Sequence, residues 1–96
     1  MNYLIKVKSA KYLEDYKIYC SFSNGEEKIV DLKNELIGEM FEPLKNKSIF
    51  IQFRVDEILK TLVWPNGVDI APYSLYEIGS PIVKTSSKKQ KRAKIK

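Results

Sequence analysis

The chain has no histidine and only one cysteine among its 96 residues. Without an imidazole there is no Ser-His-Asp or Cys-His relay and no histidine-ligated metal. One thiol cannot close an internal disulfide or build a thiolate metal site. Glycine is also scarce, at four residues, each placed at a turn or helix end, so no glycine-rich phosphate loop is present. No apolar run approaches the roughly 18 residues of a spanning helix. The opening Met-Asn-Tyr-Leu-Ile-Lys-Val-Lys is broken by charge too early to serve as a signal peptide. The expected compartment is a reducing cytoplasm. No cofactor, metal or membrane is expected as a partner.

Acid is missing from one end only. Twelve acidic and ten basic residues precede Lys84, while Lys84 to Lys96 holds seven basic residues and no acid. The net charge of +5 therefore combines a body of −2 with an end of +7. The apolar fraction of 44% is enough for one core, and the length allows one domain. Residues 1–80 are expected to fold, and 81–96 to form a basic, disordered tail with almost nothing to bury.

Read in order, the pattern predicts a small, mostly antiparallel α+β domain: two hairpins and two or three short helices. Leu4 to Ala10 reads as a first strand, and Tyr12 to Tyr16 as a turn. From Tyr16 to Phe22 the residues alternate, with Ile18, Cys20 and Phe22 on one face. Asn24-Gly25 suits a type I′ turn into a third strand, Glu27 to Leu32. There Val30 and Lys28 lie opposite Ile29 and Asp31. Asp31 reads as the N-cap of a helix over Leu32 to Ile37, ended by Gly38 and buried along Leu32, Leu36 and Ile37. Met40, Phe41 and Leu44 follow as an irregular plug broken by Pro43. Ile49 to Val55 predicts a strand, and Leu59 to Trp64 its antiparallel partner, with Asp56-Glu57 at the exposed tip. Pro65 ends that ladder, Asn66-Gly67 turns the chain, and Val68-Asp69-Ile70 can add a bridge. Pro72 then opens a helix over Tyr73 to Ile78, closed by Gly79.

Few residues stand out chemically. Cys20, on an apolar face, reads as core. Asp69 reads as a backbone-bonding acid near the turn, with a place in a binding groove as its alternative. Trp64 has two readings: a packed residue that fixes the second hairpin, or an interface anchor, since tryptophan and tyrosine are enriched at binding hot spots. Tyr3, Tyr12 and Tyr19 are expected near the surface. The candidate partner-binding set is Trp64, Asn66, Asp69 and Tyr73. The candidate nucleic-acid set is Lys84, Lys88, Lys89, Lys91, Arg92, Lys94 and Lys96, which can neutralise phosphates but brings no aromatic ring to stack on bases.

Several segments together resemble the bacterial family known as domain of unknown function 2442. They are Phe22 with Asn24-Gly25, Val30-Asp31-Leu32, Phe41-Glu42-Pro43-Leu44, and Trp64-Pro65-Asn66-Gly67-Val68-Asp69-Ile70-Ala71-Pro72 with Leu75-Tyr76. The resemblance spans about Val7 to Tyr76, and the run from Trp64 is its most specific part. It implies a small α+β domain, found alone or joined to a helix-turn-helix. It also implies frequent encoding beside another short protein, which has prompted a toxin–antitoxin reading. No helix-turn-helix is appended in this sequence; the basic segment stands in that place. The family brings no established catalytic residue. The expectation is therefore a non-enzymatic interaction module, antitoxin-like toward a neighbouring short gene product or forming a homodimer. The alternative is a nucleic-acid-binding or regulatory protein acting through its basic end.

Overall fold

A computed structural model describes residues 4–82. The basic segment from Lys84 to Lys96, with the expectation of disorder and the seven candidate phosphate contacts, lies outside the described residues, as does Tyr3.

Three antiparallel strands form a meander: β1 (Val7–Glu14), β2 (Lys17–Phe22) and β3 (Glu27–Asp31). A 3₁₀ turn (Glu42–Lys45) and a one-turn helix α1 (Lys47–Phe50) follow. The small pair β4 (Arg54–Val55) and β5 (Leu62–Val63) comes next, then α2 (Pro72–Ile78) and β6 (Ser80–Pro81). The main sheet has the order β1-β2-β3-β6, because Ser80 and Pro81 pair with Ile29 and Lys28. The α+β class stands, with fewer helices than expected.

The alternation in β2 fixes which side faces the core. Ile18, Cys20 and Phe22 are fully buried, and Val30 joins them from β3. Leu32, Leu44, Phe50, Trp64 and Leu75 close the other side of this core. Burial without a charge partner pushes the Cys20 thiol up to about 12, so it is an inert packing group, as its strand position implied.

Asn24-Gly25 turns the chain by a different geometry from the type I′ expected, and Asn66-Gly67, which turns the chain as expected, shares that geometry. In a type I′ turn both central residues have positive φ. Here Gly25 (φ 90°) and Gly67 (φ 87°) do, and neither Asn24 nor Asn66 does. Each loop has three residues, closed by Phe22 N–H to the Glu26 carbonyl (2.9 Å) in one and Trp64 N–H to the Val68 carbonyl (2.9 Å) in the other. That is a type I turn followed by a left-handed glycine. Pro65 occupies the second turn position, where its fixed φ is already correct.

Two expected elements do not form. The helix over Leu32–Ile37 shrinks to a single turn. Asp31 Oδ1 does accept from Lys33 N–H (3.0 Å), but Glu35 N–H reaches only the Leu32 carbonyl, and Gly38 (φ 100°) redirects the chain. Leu32 and Leu36 are buried as expected; Ile37 is 77% exposed. The strand expected over Ile49–Val55 is replaced by α1 and the two-residue β4. Asn46 Oδ1 caps α1 by accepting from Ser48 N–H (3.0 Å). Ile49, Phe50 and Phe53 satisfy a helical spacing as well as the run satisfies alternation, so the pattern was ambiguous over so short a window. Tertiary packing decides it. Phe50 is buried, and its carbonyl accepts the Trp64 indole N–H at 2.8 Å.

Candidate partner-binding face

The core covers one side of the meander, and among the described residues no element covers the other. Residues opposite one another across the strands form rows on this bare face. Ser9, Ser21 and Glu27 make one row; Lys11, Tyr19 and Ile29 make the next; Lys17 and Asp31 lie in the third. Ser9 and Ser21 share a hydroxyl hydrogen bond of 2.7 Å, and the Tyr19 hydroxyl donates to Glu27 at 3.0 Å. Ile29 (37% exposed) and Leu13 (41% exposed) border a shallow depression of about 500 Å³ with Lys11 and Lys17. Register shifts in β1 on either side of the Ser9–Tyr12 stretch bend this strand. It is the outer strand of the sheet, and among the described residues no strand is paired to its far side. Val7 itself donates its N–H to the Lys60 carbonyl (2.9 Å).

The four residues expected to meet a partner are placed differently. Trp64 is a correction: at 2% exposure it is packed against Phe50 and Phe53 and is no surface anchor. Its packing reading holds, because the ring fills the space between α1 and the β4–β5 pair. Asn66 is spent on structure. Its Oδ1 accepts from Val68 N–H (3.2 Å), and its amide donates to the Met40 carbonyl (3.0 Å). The backbone-bonding role expected of Asp69 therefore falls to Asn66. Asp69 is exposed and bridges Val63 through its backbone, as the short Val68–Ile70 segment suggested. Tyr73 is half-buried in the first turn of α2. Asp56 does sit at the β4–β5 tip. Its carboxylate accepts from Leu59 and Ile58 N–H (2.7 and 2.9 Å) and from Arg54 (2.8 Å), which together hold it down at about 2.

One structural feature escaped the sequence reading. Lys28 points to the core side of β3 and is only 8% exposed. Its ammonium donates to the Tyr76 carbonyl (2.7 Å) and lies 3.6 Å from the centre of the Tyr76 ring. The helix α2 thus ends on a cation that satisfies one of its last carbonyls. The Tyr76 hydroxyl donates in turn to Glu26 Oε2, a contact that pushes the phenol above its usual range. The only hint was a lysine at an inward strand position.

Among the described residues, no three of Cys, Asp and Glu gather as metal ligands, and no helix is long and apolar enough to cross a membrane. Residues 7–80 match the family described as "Protein of unknown function (DUF2442)". No curated protein and no solved structure matches the chain.

Proposed function

The chain belongs to the DUF2442 family, a family of unknown function, and we propose that it is a non-enzymatic module that binds a protein partner on the exposed face of the main sheet. The observation that carries this reading is the make-up of that face. Ile29 lies beside Tyr19, Leu13 borders the same depression as Ile29, and the surrounding charges are of both signs: Lys11 and Lys17 against Glu27 and Asp31. Aromatic and aliphatic groups within a mixed polar rim are what protein interfaces use. A nucleic-acid platform would be basic throughout. The outer side of β1 adds backbone groups that an extended partner segment can pair with. This replaces the surface around Trp64 as the docking site. In the antitoxin-like form of the reading, the partner is a short protein encoded beside this one.

The test is co-purification of the full chain with that neighbouring protein, alongside the variant Leu13→Glu/Ile29→Glu. Exposed substitutions of this kind change stability by only about 0.5 kcal/mol each. The variant is expected to fold and to lose at least tenfold in affinity, and with it any rescue of growth. Equal binding by the variant, or no complex with the wild type, would sink the reading.

A second reading is favoured by the separation of charge, with seven basic residues after Val83. It is a regulatory or nucleic-acid-binding role driven by phosphate neutralisation. Each phosphate contact adds about 0.9 to the slope of log affinity against log salt. Replacing all seven basic residues by Gln is expected to flatten that slope and abolish binding to a DNA duplex. The chain should not be shortened to Pro81 for this purpose, because Ile82 N–H donates to the Glu27 carbonyl (3.1 Å) and belongs to the sheet edge. Unchanged DNA binding by the Gln variant would exclude the electrostatic account.

A further inference from the structure

Away from the sheet face, the start of β1 and the β4–β5 tip enclose a groove of about 440 Å³. Three lysines, Lys6, Lys8 and Lys60, line it beside two acids, Asp56 and Glu57, and Ser23. The four ion pairs among the described residues use Lys17, Lys45, Lys47 and Arg54, so none of the three groove lysines is neutralised in that way. Val7 and Val55 give the groove an apolar wall.

The geometry points to a binding site for a small phosphorylated molecule in this groove. Four observations support it. The backbones that carry two of the lysines are fixed: Val7 N–H to the Lys60 carbonyl ties the tip to β1, and Ser23 N–H donates to the Lys6 carbonyl (2.8 Å). The Ser23 hydroxyl oxygen accepts from Lys6 N–H (3.0 Å), which leaves its own hydrogen to donate to an anionic oxygen in the groove. Lys60 sits at φ 58°, a left-handed turn position that glycine or asparagine fills with less strain. Lysine there puts a third cation on the groove where the turn alone would not ask for one. Finally, the Asp56 carboxylate that also lines the groove already carries Arg54 and two backbone N–H donors, so its charge is largely compensated.

The size and rim decide what kind of phosphate fits. About 440 Å³ falls in the range of small-ligand pockets and suits a mononucleotide-sized molecule, with the apolar wall facing its non-phosphate part. Glu57 also lines the groove and is exposed, so its carboxylate would repel a polyanion continuing past the bound phosphate. A long nucleic acid is therefore disfavoured, and this site is independent of the proposed sheet-face partner.

The experiment is titration of the ¹⁵N-labelled full chain with inorganic pyrophosphate, with AMP, and with a single-stranded DNA 12-mer. Saturable shifts are expected for pyrophosphate and AMP, confined to residues 6–8, 23 and 55–60. Lys6→Gln/Lys60→Asn removes two charges while asparagine keeps the left-handed turn, and should weaken AMP at least tenfold. Glu57→Gln, which touches no hydrogen bond of the tip, should strengthen AMP severalfold. Replacing the seven C-terminal basic residues by Gln should leave these shifts unchanged. The proposal is overturned if the wild type shows no saturable shifts, if the Lys variant binds as well, or if neutralising the C-terminal residues alone abolishes binding. It is equally overturned if Glu57→Gln weakens AMP, or if the 12-mer occupies the groove more tightly than AMP.

Discussion

Trp64→Ala is expected to cost about 3–5 kcal/mol, most of the roughly 5–10 kcal/mol available to a domain of this size. Two separate losses combine. The indole is 2% exposed and packs against Phe50 and Phe53 at ring-centre distances of 5.9 and 6.2 Å, so its removal leaves a cavity between α1 and the β4–β5 pair. Its N–H also satisfies the buried Phe50 carbonyl at the end of α1. Trp64→Phe partly separates the two, because it keeps one aromatic ring and removes the donor. That variant should lose about 1–3 kcal/mol for the unsatisfied carbonyl, with some of the loss from the smaller ring. Urea unfolding followed by circular dichroism measures both, since the only tryptophan is the residue replaced. A Trp64→Ala protein within 1 kcal/mol of wild type would mean that the α1 packing described above is wrong.

Lys28→Glu should be comparably damaging, at about 3–5 kcal/mol. The ammonium is 8% exposed and holds the Tyr76 carbonyl, with the Tyr76 ring on its flank. A carboxylate in that position faces a carbonyl oxygen and the negative end of α2, and Glu26 stands on the far side of the Tyr76 hydroxyl. It would be a buried charge with no donor. Lys28→Met keeps the stem and loses the donor, so about 1–2 kcal/mol is expected from the carbonyl left open. The order Glu worse than Met, read from urea midpoints, identifies the hydrogen bond and charge rather than the side-chain volume as the cause. Equal midpoints for Glu and wild type would show that α2 does not depend on Lys28. The closeness of this packing is visible at Gly79. A Cβ there would lie 2.8 Å from the Lys28 Cβ, which explains why the residue after α2 has no side chain, although its φ of −66° makes no demand for glycine.

Much of the fold was legible in the residues. The alternation Ile18-Cys20-Phe22 named the buried face of β2. Pro72 and Gly79 bracketed α2, and both Asn-Gly pairs marked turns. Those signals are local: a side-chain period, a missing N–H, a residue free to take positive φ. The site was much less legible. The partner surface was sought at Trp64, because tryptophan is a common anchor, yet the same large apolar ring is what a small core most needs. The bare sheet face was implicit in Lys17, Tyr19 and Ser21 on β2. Its extent depended on which elements would leave it uncovered, and no local pattern states that.

From its sequence alone, this protein is an α+β chain whose meander has one buried face, whose two Asn-Gly turns are placed, and whose positive charge is concentrated at one end. Periodicity and the stereochemistry of proline and glycine act within a few residues, so they can be read directly. Only the tertiary structure decided that Ile49 and Phe50 belong to a helix rather than a strand, that Lys28 caps α2 from inside, and that Lys6, Lys8 and Lys60 share a groove. Each of these depends on groups far apart in the chain. The Phe50 carbonyl finds the Trp64 indole, the Tyr76 carbonyl finds the Lys28 ammonium, and the Lys60 carbonyl finds Val7 N–H. Buried polar groups must find partners, and where those partners stand is fixed only when the whole chain has packed.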